Sequence, residues 1–217
     1  MRRDFRLLSS LFCLLLLPAC GPANQLRILG DIGRPPFSGP LPQGPPRMAV
    51  LDFSYAAPAE GPGVIGRDFD RVRQVVWDGD PGRTMADLLA GALAEQGVPT
   101  VRLKAGAPPP DNVQYLISGT IRRFEVNVRR GDIMKVSDEA NVSVTVNVSG
   151  TGMPASYETT VSSAATVQEL FALPSQLQHA LLTAANSAAE EAVRGIRQSA
   201  ASGAFPKGGA GGDGNRK

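Results

Sequence analysis

Histidine occurs once in the 217 residues, tryptophan once and cysteine twice. Cys13 lies inside an apolar run near the N-terminus, so a chain that loses this run keeps only Cys20. Such counts exclude a disulfide framework and a cysteine-based metal centre. They also leave His179 as the sole candidate imidazole base, with no Ser or Cys nucleophile motif to partner it. Its place between Gln178 and Ala180 reads as a solvated or half-buried position on a helix. No apolar run is long enough to span a bilayer: Leu7 to Leu17 is roughly eleven residues, where a helix needs about 20. An excess of charge is missing too. Residues 1–19 hold three Arg and one Asp, and the 22 basic and 20 acidic side chains of the whole chain fall to 19 of each without them. The basic balance belongs to the leader, and nucleic acid is not expected as a partner.

Arg2, Arg3 and Arg6 precede the apolar run, and Pro18-Ala19-Cys20-Gly21 follows it, which is the layout of a secretory signal peptide over residues 1–19. Leu17-Pro18-Ala19-Cys20 resembles the lipobox of bacterial lipoproteins, with an aliphatic residue three before the Cys and a small residue directly before it. Pro18 stands where that pattern usually has Ala, Ser, Thr or Val. The resemblance implies a diacylglyceryl group on the Cys20 thiol and an acylated amine, a membrane anchor by lipid rather than by a span. Gly21 in place of an Asp implies the outer membrane, facing the periplasm.

Residues 20–46 contain seven prolines and no sustained apolar period, and read as a tether from the lipidated Cys. At about 3.1 Å per residue, such a Pro-rich tether would reach roughly 75 Å. Residues 200–217 are Gly-rich and polar and are expected to be a disordered tail. Between them, 47–199 is long enough for one domain with a real core.

Within that domain, Met48 to Phe53 is a short apolar run consistent with a buried strand. The segment from Ser54 to Gly82 stays open, with strands or a hairpin at Val64-Ile65 and Val72 to Trp77 as alternatives. Asp80-Pro81 starts a helix whose stripe of Met85, Leu88, Leu89, Ala92 and Leu93 ends at Gly97. Val98 to Leu103 follows as a strand. Tyr115, Ile117, Gly119 and Ile121 alternate on odd positions and Phe124, Val126 and Val128 on even ones, so a β-bulge at Arg122-Arg123 is needed to keep one buried face. Val142, Val144, Val146 and Val148 alternate with polar residues, and Tyr157, Thr159 and Val161 continue the meander. A helix from Pro174 to about Gln198 closes the domain. The expectation is a single α+β sandwich, an antiparallel-rich sheet with helices on one face, in the order βαβββα.

Candidate sites are few. Gly61 to Gly66 matches G-x-G-x-x-G but contains a proline and precedes no helix, and reads as a loop. Asp68, Asp70, Asp78 and Asp80 form two D-x-D pairs suited to a hard cation, but without the Gly and Glu of an EF-hand loop they read as solvated charges. The strand from Asn141 to Ser149 alternates as a membrane β-strand does, and equally as a soluble sheet with one wet face. Phe69 and Trp77, with Arg67, Arg71 and Arg73, form a mixed aromatic and basic set, the candidate partner surface if exposed and simple loop packing if not. No catalytic, cofactor or metal residues are expected.

Met48 to Phe53, Gly63-Val64-Ile65-Gly66-Arg67, the helix from Thr84 to Gly97 and Tyr115-Leu116-Ile117-Ser118-Gly119-Thr120-Ile121 together resemble the YajG-like family of bacterial envelope lipoproteins, over roughly 47–199. That resemblance implies an envelope lipoprotein with no catalytic residues to carry over. The element order also resembles curli-secretion-type lipoproteins and the lipoprotein accessories of lipid-transporting ABC systems. The function expected is a non-enzymatic binding or assembly module, with another envelope protein as partner and an oligomer as one form. The alternative is an accessory subunit of an envelope transport or secretion system.

Overall fold

The computed structural model describes residues 25–30, 48–56, 60–68, 73–131, 135–150 and 156–203. Signal peptide, Cys20 and most of the C-terminal tail lie outside them. Two sheets and two helices share one core. The larger sheet has six strands: β2 (Met48–Leu51), β3 (Ser54–Tyr55), β6 (Thr100–Leu103), β7 (Tyr115–Arg130), β8 (Val136–Gly150) and β9 (Tyr157–Glu169). Its order is β6-β2-β7-β8-β9, with β3 also on β7. β2 pairs parallel to β6 and β7, while β7, β8 and β9 form an antiparallel meander.

The meander follows the apolar alternation. Val142, Val144, Val146 and Val148 are all buried, and their polar neighbours occupy the other face. The register shifts between Ile121 and Arg123, so Arg122 is the extra residue of a bulge, and Ile117, Ile121, Phe124, Val126 and Val128 are all buried. Helix α1 (Pro81–Glu95) and helix α2 (Pro174–Ala201) pack against each other and cover that face. α2 presents Leu177 and Leu181 with Ala180, Ala184, Ala188 and Ala192, small side chains that let a helix lie close to a sheet. The valine face of β8 therefore meets protein, as the wet-faced soluble sheet requires.

The architecture is α+β, a sandwich with both helices on one face, but its order is richer than βαβββα. Five strands precede α1 and four follow it. The additional strands build a second sheet, β1 (Gln25–Leu29), β5 (Gln74–Asp78) and β4 (Val64–Arg67), in the order β1-β5-β4. β1 is parallel to β5 from Gln25↔Gln74 to Leu29↔Asp78. Its position corrects the tether reading: the described fold begins at Gln25, inside the stretch read as tether. The prolines of that stretch are Pro22 and then Pro35 onward, which leaves a proline-free window in which Leu26 and Ile28 alternate inward, Ile28 to full burial. The C-terminal boundary moves slightly as well, since α2 runs to Ala201.

β4 presses its backbone onto β7. A Cβ on Gly66 would lie 1.8 Å from the Val126 carbonyl oxygen, so only glycine fits there. The next residue, Arg67, donates its N–H to Asn127 Oδ1 at 3.1 Å.

Candidate functional site

The aromatic and basic set divides. Trp77 is 2 % exposed, stacked edge-on against Phe124 with centroids 5.5 Å apart, and belongs to the core. The surface reading is overturned for this residue because β5 alternates, placing Val75 and Trp77 inward, with Trp77 against Phe124 of β7. Arg73 is also committed. Its Nε donates to Asp68 Oδ2 at 2.9 Å and its N–H to Oδ1 at 3.3 Å, closing the turn between β4 and β5 on a buried carboxylate. Arg67 is half-buried at the β4 terminus. Phe69 and Arg71 lie outside the described residues.

The other sequence candidates take structural places. Gly61 to Gly66 is a turn running into β4. Asp80 caps α1, its Oδ1 accepting from the Gly82 N–H at 2.8 Å and the Arg83 N–H at 3.3 Å. Asp78 ends β5, and Asp70 is outside the described residues. Among the described residues no group of three His, Cys, Asp or Glu is placed to hold a metal ion. His179 is exposed on α2.

Groups that sequence reasoning missed are more informative. Arg102 on edge strand β6 reaches Asp52 Oδ1 at 2.6 Å, Asp87 Oδ1 at 2.7 Å and the Val50 carbonyl. It fastens the edge strand to β2 and to α1 at once. Burial pushes the Asp52 carboxyl up, but the Arg102 hydrogen bond, the Ala105 N–H and the Arg102 and Arg83 charges outweigh it and hold it below the usual value. Asp138 has no such partner. It sits fully buried on the helix-facing side of β8, in line with Ala140 and Val142, and neither carboxylate oxygen has a hydrogen-bond partner. Burial, and then the charge of Glu169, push it up to about 6. Its period-2 place in a valine strand was the available signal.

Concave surfaces remain among the described residues. A cleft of about 310 Å³ lies between β4 and β7, lined by Tyr55, Glu60, Arg67, Arg122 and Glu125 among others. Burial there, and then Glu125 and Glu60, raise the Tyr55 hydroxyl. A groove of about 620 Å³ lies between the C-terminal ends of the helices, with Ala92 and Val193 as floor and Glu95, Glu190, Arg194 and Arg197 as rim. Arg197 donates to Gln96 across it. At the opposite end, Leu29, Leu170, Phe171 and Leu173 are exposed. The arrangement offers mixed-charge and apolar contact surfaces.

No protein-family model matches the chain, and no curated protein matches it. Solved structures do. A Xanthomonas campestris protein, XCC0632 of the DUF330 family, superposes with a TM-score of 0.50 at 13% identity, over 81% of this chain and 96% of its own. A putative lipoprotein from Caulobacter crescentus (TM-score 0.38, 18% identity, 70% of this chain and 88% of that one) and a minor lipoprotein from Acinetobacter baumannii (0.38, 13%, 72% and 93%) are further neighbours. The fold is thus shared with the Xanthomonas protein, and bacterial lipoproteins stand among its structural neighbours. No helix among the described residues is long and apolar enough to cross a membrane.

Proposed function

We propose that the protein is a bacterial lipoprotein of the YajG-like kind, anchored through Cys20 to the periplasmic face of the outer membrane, and that it acts as a non-enzymatic binding module for another envelope protein. The observation that carries this is Leu17-Pro18-Ala19-Cys20 directly after a basic and apolar leader. Two further features support it. Asp80, Asp52 and Arg102 are committed to a helix cap and an ion pair, and the groove between the helix ends combines an apolar floor with charges of both signs, as protein contact surfaces do. Fractionated cells carrying wild type or Cys20→Ala, with intact mass of the membrane-extracted protein, test the anchor. A mass beginning at acylated Cys20, and release of the variant, are expected; an unmodified mass with unchanged fractionation would remove it. A photo-crosslinking side chain at position 194, on the groove rim, tests the binding role. One discrete adduct is expected there and none at Ser162, exposed on the face of β9 turned away from the helices, and the same faint smear from both positions would overturn the groove.

A further inference from the structure

We infer that the end of the fold carrying Leu29, Leu170, Phe171 and Leu173 rests on the anionic phospholipid surface that holds the chain, so that the helix groove opens away from the membrane. These four are the exposed large apolar side chains among the described residues, 65%, 61%, 72% and 49% accessible, and they gather at one end. Leu170, Phe171 and Leu173 lie between the end of β9 and the start of α2. Leu29 joins them because its carbonyl accepts Gln178 Nε2 at 2.8 Å, fastening the end of β1 to the second turn of α2. Exposed apolar residues scattered singly need no explanation, whereas a gathered patch marks a contact surface.

The charge around the patch selects a lipid surface as its occupant, and the length of chain before β1 accommodates it. First, the sheet register aligns Arg130, Val136 and Glu169 in one row, so the β7–β8 hairpin end, with exposed Arg129, Arg130 and Lys135, flanks the apolar tip. Among the described residues, Glu169 and the Glu139 carboxylate, 2.8 Å from Arg129, are acidic groups of this rim, with buried Asp138 behind them. Apolar side chains beside cations are the pattern of proteins that lie in a bilayer interface, the former among acyl chains and the latter at phosphates. Second, the leash is short. Residues 20 to 25 make five steps, at most about 17 Å, and the four steps of β1 rise about 13 Å. The leash exceeds the rise of β1, so an anchor at Cys20 lets the Leu29 end of that strand reach the bilayer. The 28 residues of α2 are then about 40 Å long, enough to hold the groove clear of the headgroups.

This inference rests on acylation of Cys20, and the experiment separates the two. Cys20 is the sole cysteine after the leader, so an introduced thiol is labelled uniquely. Acylated protein extracted from membranes, carrying a fluorophore at Ser175→Cys beside the patch or at Gln198→Cys at the far end of α2, is reconstituted into vesicles of phosphatidylcholine with about a third phosphatidylglycerol and a headgroup-level lipid quencher. Quenching at position 175 several-fold above that at 198 is expected, and it should fall to the level of 198 when Leu170 and Phe171 are both changed to Ser. Equal quenching at both positions on vesicle-bound protein would overturn the orientation and leave the anchor intact. Absence of quenching at 175 with self-crosslinking there would assign the patch to a second copy instead. An extracted protein whose mass lacks the acyl chains would remove the anchor, and the short leash with it.

Discussion

Strands β7, β8 and β9 run 16, 15 and 13 residues and pair with their neighbours in sequence, whereas β1, β4 and β5 run 5, 4 and 5 and come together from segments up to about fifty residues apart. In the meander, burial is spread over a dozen alternating side chains and more than twenty ladder positions. In the small sheet it is concentrated in Leu26, Ile28, Val64, Ile65, Val75 and Trp77. Distributed burial tolerates the loss of any one side chain; concentrated burial does not. The small sheet also holds β1, the first described strand, so its few contacts fix how the chain enters the described fold.

Trp77 should give the largest effect. It joins the small sheet to Phe124 of the large one, and Trp77→Ala should remove about 3–5 kcal/mol, read from urea unfolding. Trp77→Phe should lose much less, because the indole Nε1 has no hydrogen-bond partner and phenylalanine keeps the ring contact. As the single tryptophan, it reports on itself: native emission should be blue-shifted and insensitive to aqueous quenchers. Solvent-like emission with a stability loss below about 1 kcal/mol would return Trp77 to the surface.

Ile28→Ala follows, at about 2–5 kcal/mol, since the side chain is fully buried. A free tether would show no change, so this substitution decides between a domain that starts at Gln25 and one that starts near Arg47.

Asp138 makes the opposite prediction inside the meander. Its pKa is raised to about 6 from an ordinary 3.8, so the folded state holds a proton that the unfolded chain releases. Stability is therefore greatest below about pH 4, falls as pH rises through 6 and is level above that. A shift of about two units corresponds to roughly 3 kcal/mol. Asp138→Asn should raise stability at pH 7.5 by about 1–3 kcal/mol and leave it nearly unchanged at pH 4, with unfolding measured at both. A pH-independent difference would mean that the carboxylate has found a partner.

The same contrast explains what was legible in the sequence. Val142 to Val148 and the parity switch at Arg122 are local patterns, and both the strands and the bulge were readable from them. Both helices were readable for the same reason, through Asp80-Pro81 and the alanine stripe. Gln25–Leu29 was not, because five alternating residues between prolines carry too little periodicity, and only their pairing with Gln74–Asp78 makes them a strand. Trp77 was misread because its inward face exists only once the small sheet packs on Phe124 of the large one. The ion pairs of Arg102 reach back 50 residues to Asp52 and 15 to Asp87, distances at which sequence pattern says nothing. The apolar end was invisible likewise: Leu29 shares an end of the fold with Phe171 because Gln178 ties the first described strand to the last helix.

The smallest effect is expected where the two regions meet. Asp80 follows β5 of the small sheet by two residues and caps the helix that covers the large one. Its carboxylate accepts two N–H groups, and its carbonyl receives the Thr84 N–H and hydroxyl, each at 2.9 Å. If the carboxylate only caps α1, Asp80→Ala should lower stability by about 1 kcal/mol, and Asp80→Asn should restore most of it. A loss beyond about 2 kcal/mol that Asn does not rescue would instead make the charge itself a fastening between the sheets. Millimolar calcium should leave the melting temperature of wild type unchanged, because Asp80 Oδ1 is already directed at the helix terminus; a rise on adding calcium that Asp80→Asn abolishes would restore the carboxylates of this turn as a cation site.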